Sequence, residues 1–155
     1  MSIALSEGGF SMRTIITISG LLFICLLLMV PAKASSSKVL AKIDISEQTM
    51  RIFVDGKVRH SWPVSTARRG YRTPVGTFKP TRMHKRYFSR KYNGAPMPYS
   101  VFFYKGYAIH GTDVVKRLGA PASHGCVRLH PKNAKRLFSL IQANGPSNAR
   151  IVIVK

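Results

Sequence analysis

Short segments that alternate apolar and polar residues, separated by turn signals, constrain the fold of this chain more than any other feature. Residues 39–65 contain three such segments, with the hairpin signal Asp55-Gly56 between the second and the third. Further strand-like segments lie at 99–104, 107–109 and 150–154. The pattern predicts a mainly β domain in which the first three strands are short and antiparallel.

One segment has helical periodicity instead. Between Pro131 and Gln142, apolar residues recur at spacings of three and four, and proline suits the first turn of a helix. Asn144-Gly145-Pro146 is a stop signal. The apolar positions are Ala134, Leu137, Phe138 and Ile141. We therefore expect a single short α-helix near the C-terminal end of the domain.

Residues 1–34 have the features of an export signal. Arg13 precedes an uncharged apolar run from Ile15 to Val30, and Ala32-Lys33-Ala34 is the small-x-small pattern of a cleavage site. The run is shorter than the roughly 20 residues that span a bilayer. We expect a cleaved signal peptide, with an uncleaved anchor or a buried core helix as alternatives. The working domain over 38–155 would then be exported to the periplasm or the cell envelope.

Cys126 is the only thiol outside that apolar run, which contains Cys25. Oxidising compartments usually pair cysteines or lose them, so a lone exported thiol is a candidate for a free, reactive group. It lies in a stretch that holds three of the five histidines. A thiol attacks as a thiolate and needs a base or a cation nearby, and histidine is the usual base because its pKa lies near neutrality.

Two histidines are candidates for that base. His124 is two residues from Cys126 and would point the same way on an extended chain, whereas His110 ends a predicted strand and could face the thiol across the sheet. The residue pattern alone leaves both open. A zinc site built from these residues and His130 is an alternative, although the spacing matches none of the common zinc motifs. A buried structural thiol is another alternative.

Gly125 immediately precedes the thiol. A glycine at this position permits a sharp turn and lets a substrate come close to backbone N–H groups, which are candidate donors to an oxyanion in acyl chemistry. The run that ends at Cys126 therefore predicts a thiol presented on a tight loop.

Positive charge is the strongest bias in composition. The chain has 25 lysines and arginines against five acidic residues, for a net charge of +20, and the basic residues are scattered rather than gathered in one block. Nucleic acid is a common partner of such a charge, but export and the lack of a recognition motif argue against it. We expect anionic cell-wall or envelope polymers as partners, with solubility as the alternative role.

The same residues carry a resemblance to a known family. His110-Gly111-Thr112, followed by Gly119 and then by Ser123-His124-Gly125-Cys126-Val127-Arg128, resembles the signature of the L,D-transpeptidase family (the YkuD-type catalytic domain). The segment Arg72–Phe78 resembles the Thr-Pro-x-Gly-x-Phe segment of that family. The resemblance covers residues 38–155, and the two motifs together are highly specific.

The resemblance implies a fold and a set of site residues. The fold would be a β-sandwich with one short C-terminal α-helix, and the active thiol would lie in a groove under a loop. Cys126 would be the nucleophile and His110 the base, held through its other ring nitrogen by a backbone carbonyl. The residues implied to bind the substrate or its oxyanion are Ser123, His124, Gly125, Gly111 and Arg128, with a surface salt bridge as the alternative role for the arginine.

The resemblance also implies a reaction. Acyl transfer from a peptidoglycan tetrapeptide stem would pass through a Cys126 thioester to an amine acceptor and form a cross-link, without a metal or another cofactor, in a monomer. Water as the acceptor would make the protein an L,D-carboxypeptidase. A lipoprotein-wall linking or releasing enzyme on the same scaffold and a non-catalytic wall-binding module are further alternatives.

Residues 79–98 are basic and aromatic and lack a clear period. A segment of this length without periodicity in a compact domain is often a functional loop, so we expect a mobile flap over the thiol groove, with a solvated surface loop as the alternative. The expected apolar cover consists of Tyr87, Phe88 and Tyr92. The cations expected to face the anionic stem peptide are Lys85, Arg86 and Arg90.

Overall fold

The computed structural model describes residues 38–155, so the predicted signal segment at 1–34 lies outside the described residues. In this part of the chain nine strands form two sheets, accompanied by one α-helix and two 3₁₀ turns. The elements are β1 (Val39–Asp44), β2 (Thr49–Val54), β3 (Lys57–Pro63), β4 (Gly76–Phe78), β5 (Arg82–His84), β6 (Ser100–Tyr104), β7 (Tyr107–Gly111), β8 (Val127–Leu129), α1 (Pro131–Asn144) and β9 (Ala149–Val154).

The first sheet has the strand order β3-β2-β1-β9-β4. The first three strands are antiparallel neighbours, as predicted from their alternation. β9 pairs in parallel with β1, from Val39 opposite Ala149 to Asp44 opposite Val154, so the last strand lies inside the sheet. Every second side chain of β1 and β9 is buried, which fits strands with one face on a core.

The second sheet has the order β5-β6-β7-β8 and carries the predicted site residues. β7 and β8 are parallel, with His110 opposite Arg128. β8 is only three residues long and was not predicted, because so short a segment has no period of its own. β5 lies within the stretch expected to be irregular and pairs with β6.

The two sheets and the helix share one core. Ile43 and Ile151 from the first sheet, Val101 and Ile109 from the second, and Leu137 from α1 are all fully buried in it. Full burial of such a side chain contributes about 1.5–3 kcal/mol, so the packed faces fix which side of each sheet points outward. The architecture confirms the predicted mainly β sandwich with one short α-helix.

Residues at both ends of α1 determine where the helix begins and ends. The His130 side chain accepts a hydrogen bond from the Lys132 N–H at the N-terminus, and Pro131 occupies the first turn. Gly145, at φ 82°, ends the helix two residues beyond the predicted boundary. Neither this helix nor any other in residues 38–155 has the length and apolar character needed to cross a bilayer.

Candidate active site

Cys126 and His110 lie on the face of the second sheet that points away from the core. Ile109 and Val127 are paired across β7 and β8, and both are buried in the core. Neighbouring side chains on a strand point to opposite faces, so His110 and Cys126 share the outer face. Cys126 packs there against a small apolar cluster that includes Ala108.

A cavity of about 540 Å³ opens over this face. Of the predicted site residues, five line it: His110, Ser123, His124, Cys126 and Arg128. Gly111 and Gly125 do not. The two ends of the first motif, at His110 and at 123–128, therefore contribute to one cavity, and its wall contains the thiol and both candidate bases.

His110 is held in one tautomer. Its side chain is buried, and Nδ1 donates a 2.7 Å hydrogen bond to the Gly111 carbonyl oxygen. Because Nδ1 carries the proton, Nε2 has the lone pair. Burial lowers the pKa of His110 to about 4, with a smaller contribution from the Arg128 charge, while the hydrogen bond to Gly111 opposes the shift. The imidazole is therefore neutral at neutral pH and able to accept a proton.

The thiol is also uncharged at rest. Burial raises the pKa of Cys126, and this outweighs a hydrogen bond from the Ala108 backbone and the nearby Arg128 charge, both of which lower it. A partly exposed Cys126 and a neutral His110 thus share the cavity wall. The thiolate forms only when a proton leaves Sγ, so this site calls for a neutral base rather than for a preformed ion pair.

His124 is engaged elsewhere. Its Nε2 lies 2.8 Å from the Arg68 guanidinium, which can only donate, so this nitrogen is the acceptor. The ring stacks on Tyr92 with centroids 4.8 Å apart and meets the edge of Tyr71 at 4.5 Å. Desolvation, followed by the Arg68 charge, lowers the pKa of His124. The nitrogen that would take a proton from Cys126 is already occupied.

Ser123 and Gly125 shape the loop that carries the thiol. The Ser123 hydroxyl donates to the Cys126 carbonyl at 2.6 Å and accepts from the Gly125 N–H at 2.9 Å. Gly125 has φ 127°, and a Cβ there would come within 2.5 Å of the Tyr107 ring and 2.8 Å of the Arg72 carbonyl oxygen. Glycine is therefore needed at position 125 because Tyr107 and Arg72 of the protein itself come close to it.

The two glycine amides considered as oxyanion donors both have partners within the protein. The Gly125 N–H donates to Ser123, and the Gly111 N–H donates to the Pro98 carbonyl at 2.8 Å. A Cβ at Gly111 would lie 3.1 Å from both Pro131 and Pro98, which is tighter than an ordinary van der Waals contact. Both amides therefore fix the backbone geometry around the thiol. A sequence pattern cannot distinguish this structural role of a glycine from a role in substrate binding.

Arg128 extends from β8 into the cavity. Its guanidinium contacts the Ala122 carbonyl at 3.4 Å. Within residues 38–155 no carboxylate lies within ion-pair distance of it, since the ion pair found there joins Glu47 and Arg51. The alternative of a surface salt bridge therefore has no partner in the described residues, and the guanidinium is available to an anionic ligand.

Thr73 is a site residue that the analysis of single residues missed. Its buried hydroxyl donates to the Gly125 carbonyl at 2.9 Å and accepts from the Ala67 N–H at 3.0 Å. It thereby ties the second motif to the thiol loop of the first. Thr73 belongs to the Thr-Pro-x-Gly-x-Phe segment noted in the sequence, but no role was predicted for its side chain.

Residues 87–97 form a hairpin-like loop rather than an irregular one. Its backbone bonds include Met97 N–H to the Tyr87 carbonyl at 2.8 Å. Tyr87 and Tyr92 line the cavity as expected, together with Arg90. The expectations for the other three residues are wrong: Phe88 is 61% exposed, and Lys85 and Arg86 do not line the cavity. Phe88 points outward because its neighbours Tyr87 and Ser89 face inward.

The four possible zinc ligands do not come together. The His130 side chain caps α1, as described above, while Nε2 of His124 faces Arg68. In the part of the chain that the structure describes, no three His, Cys, Asp or Glu side chains are close enough to hold a metal ion.

Comparison with known proteins adds a family. The family model named YkuD, the L,D-transpeptidase catalytic domain, matches residues 38–153. The YkuD protein of Bacillus subtilis (strain 168), whose name gives L,D-transpeptidase as a provisional activity, is 24% identical over 115 residues. The match covers 72% of this chain and 63% of that protein.

Solved structures show the same fold. An L,D-transpeptidase from Mycobacterium smegmatis matches with a TM-score of 0.67 at 26% identity, over 77% of this chain and 59% of that one. L,D-transpeptidase 3 from Mycobacterium tuberculosis, in complex with a faropenem-derived adduct, matches with a TM-score of 0.67 at 19% identity, over 77% and 61%. This chain spans less than two thirds of the length of each of these three relatives.

Proposed function

The chain belongs to the L,D-transpeptidase catalytic domain family, and on this basis we propose that it is a cysteine acyltransferase acting on peptidoglycan stem peptides. Cys126 is the nucleophile and His110 the general base. The observation that carries the proposal is that His110 shares the outer sheet face and the cavity with Cys126, while its Nδ1 proton is committed to the Gly111 carbonyl.

The first half-reaction forms a thioester. His110 Nε2 takes the proton from Cys126 Sγ as the sulfur attacks the carbonyl carbon between diaminopimelate and D-alanine. The carbon–nitrogen bond then breaks, and the protonated imidazole returns the proton to the amine of the departing D-alanine. With its pKa near 4, the protonated His110 is more acidic than an ordinary imidazolium, which favours this second proton transfer.

The second half-reaction releases the thiol. An amine of another stem peptide attacks the thioester carbonyl, His110 takes a proton from that amine, and Sγ leaves and is reprotonated. The product is a cross-link between two stems. When water replaces the amine, the same steps give hydrolysis and a shortened stem.

Charge on the tetrahedral intermediate must be met by donors other than the glycine amides, since both of these are engaged within the protein. We assign this role to the Cys126 backbone N–H and the Arg128 guanidinium, which lie at the nucleophile and on the same sheet face. Replacing Arg128 with Gln should slow acylation of Cys126. Unchanged acylation kinetics would remove Arg128 from the site.

The positive charge and the export signal complete the proposal. The enzyme would work in the periplasm or cell envelope, where anionic wall polymers raise its local concentration. Binding to purified wall sacculi should then weaken steeply as salt rises, because exposed charges are screened beyond about 8 Å at physiological ionic strength. Binding that does not respond to salt would leave the charge a role in solubility only.

The direct test uses purified substrates. Residues 35–155 would be incubated with a tetrapeptide stem that carries diaminopimelate, with and without a second stem as the acceptor, and the products identified by mass. Release of D-alanine together with a cross-linked dimer is expected, and Cys126→Ala should abolish both. Release of D-alanine without any dimer would identify a carboxypeptidase, and no release would contradict the proposal.

A further inference from the structure

A row of four residues crosses the outer face of the second sheet and ends at the thiol. Arg82 on β5 pairs with Phe102 on β6, and Phe102 pairs with Ala108 on β7. The register of β7 and β8, extended by one residue, places Ala108 opposite Cys126, in agreement with the packing of Cys126 against the cluster that contains Ala108 and Phe102. Arg82 therefore begins the row that Cys126 ends.

The guanidinium of Arg82 is held over that row by aromatic rings. It lies 4.0 Å from the centroid of the buried Phe102 ring and 5.8 Å from the Tyr87 ring. Contacts of this kind orient a guanidinium without neutralising its charge. In the described part of the chain no carboxylate lies within ion-pair distance of Arg82, and Asp113 is the only acidic residue that lines the cavity.

The spacing of the strands sets the reach from this cation to the thiol. Phe102 and Cys126 lie two strands apart, which is roughly 10 Å at the usual separation of about 4.8 Å. A guanidinium above Phe102 is thus roughly 10 Å from Sγ along the floor of the same cavity. Arg128, on β8, is two residues from Cys126, and its charge acts on the thiol whereas that of Arg82 does not. The two cations therefore lie at different distances from Sγ along one cavity.

We propose that Arg82 is a specificity determinant that binds a free carboxylate of the acyl donor, about 10 Å from the carbonyl carbon that Cys126 attacks. The inference rests on the proposed acyl transfer and names the chemical class of donor, a stem peptide whose carboxyl groups are not amidated. A guanidinium can hold a carboxylate through two parallel hydrogen bonds, whereas a carboxamide offers neither the charge nor the second acceptor.

Two carboxylates of a tetrapeptide stem fit this distance. The α-carboxylate of the γ-linked glutamate and the carboxylate at the far end of the diaminopimelate side chain each lie within roughly 10 Å of the scissile carbonyl carbon in an extended conformer. They share one chemistry, so the test has to separate them by amidating one at a time.

The test measures binding rather than turnover, so that it does not depend on the transfer reaction. The Cys126→Ala protein would be titrated calorimetrically with three tetrapeptides: unmodified, amidated at glutamate, and amidated at diaminopimelate. Each titration would be repeated in Cys126→Ala carrying Arg82→Gln. The matched control is Arg59→Gln, which removes the same charge from β3, the edge strand of the other sheet.

The expected result is a selective loss. One of the two amidated peptides should bind about 5- to 20-fold more weakly than the unmodified peptide. Arg82→Gln should weaken the unmodified peptide by a similar factor and abolish its advantage over that amidated peptide, as a double-mutant cycle requires for two groups in contact. Arg59→Gln should preserve the difference. The peptide whose advantage disappears identifies the carboxylate.

Other outcomes overturn the inference. Equal binding of all three peptides to the parent protein would show that no donor carboxylate is recognised. An equal loss in Arg82→Gln and Arg59→Gln would reduce the effect to net charge. Failure of the proposed function is recognised separately, since it appears as the absence of D-alanine release by the protein with Cys126 intact.

Discussion

The Thr73 hydroxyl donates a 2.9 Å hydrogen bond to the Gly125 carbonyl oxygen, so that two residues far apart along the chain fix the turn on which the thiol is carried. The same hydroxyl accepts from the Ala67 N–H, so both of its hydrogen-bonding functions are used inside the protein. A loop held in this way keeps Sγ of Cys126 in a fixed position on the cavity wall.

Removing this hydroxyl should cost stability and slow acylation together. Thr73→Val keeps the shape of the side chain but leaves the Gly125 carbonyl and the Ala67 N–H without their partner, which costs about 1–3 kcal/mol of unfolding free energy. A displaced thiol should also lower the rate of acylation by about tenfold or more. Denaturant unfolding and a stopped-flow acylation assay measure the two effects.

The conservative variant Thr73→Ser serves as the control, because it restores the hydroxyl. It should recover most of both losses. If Thr73→Val loses stability and acylates at the parent rate, Thr73 supports the fold without positioning the thiol.

Covalent labelling tests the accessibility of Cys126. A penem or carbapenem should add to the native protein in a 1:1 ratio, because the thiol lines an open cavity beside a neutral histidine. Intact-protein mass spectrometry detects the adduct, and Cys126→Ala is the control. A mass shift that appears only after unfolding would identify a buried structural cysteine.

The two histidines should differ strongly in their effect on that labelling. His110→Ala removes the proposed general base and should lower the acylation rate by about 10²–10⁴-fold. His124→Ala should cost much less, because the accepting nitrogen of His124 is bonded to Arg68 and not to the thiol. Rates for both variants come from the same labelling assay. The opposite order would exchange the roles of the two residues.

The lowered pKa of His110 should make stability depend on pH in a defined window. Its pKa is about 4 in the folded protein, against 6.5 for an unperturbed histidine such as that of an unfolded chain. The unfolded state therefore binds the extra proton first as pH falls. Stability should be complete above pH 6.5 and decline between pH 6.5 and 4, by about 3 kcal/mol in all.

The His110→Asn variant isolates this contribution, since asparagine can donate to the Gly111 carbonyl and does not titrate. The difference in unfolding free energy between the parent and His110→Asn should shrink as pH falls through the window. The acidic limb of kcat/KM for the parent should also lie near pH 4. A limb near pH 6.5 would show that the histidine is not desolvated in solution.

The loop over 87–97 should protect the thioester from water. Its tip is joined to the thiol loop through the stacking of Tyr92 on His124. Replacing residues 88–95 with a tight turn keeps β5 and the Tyr87 ring and should leave folding nearly intact, since loop length costs little free energy. The ratio of hydrolysis to cross-linking, read from product masses, should rise.

Tyr92→Ala tests the stacking contact on His124 separately from the length of the loop, because it keeps every residue of the loop and removes only the stacked ring. It should raise the same ratio by a smaller amount. An unchanged ratio in both variants, with normal acylation, would make this segment a surface loop.

Local patterns predicted the elements that depend on local residues. The alternation in 39–65 gave three strands and the spacing of apolar residues gave α1, because each pattern repeats within its own element. β8 could not be predicted, since its three residues become a strand only by pairing with β7 and by the Ser65–Arg128 bridge on its other edge.

The sequence predicted which residues line the candidate site better than it predicted their hydrogen bonds and orientations. The resemblance gave His110 and Cys126, which the residue pattern alone had left among several possibilities. The occupied amide of Gly125 depends on the rotamer of the Ser123 hydroxyl, and the outward direction of Phe88 depends on the bridge from Phe88 to Pro96. The first is a side-chain rotamer and the second is the register of one loop, and a pattern of residue types specifies neither.

The parallel pairing of β1 with β9 joins segments roughly 110 residues apart along the chain. The hairpins of β1, β2 and β3 can form as soon as they emerge, but β1 keeps one open edge until residues 149–154 arrive to fill it, and β4 has no neighbour in that sheet before then. Synthesis of this domain therefore finishes the segment that carries His110 and Cys126 before it finishes the first sheet, which lacks β9 until the end. A chain arrested before β9 would display an unpaired β-edge on β1, which is a template for pairing with another chain and therefore a site of aggregation.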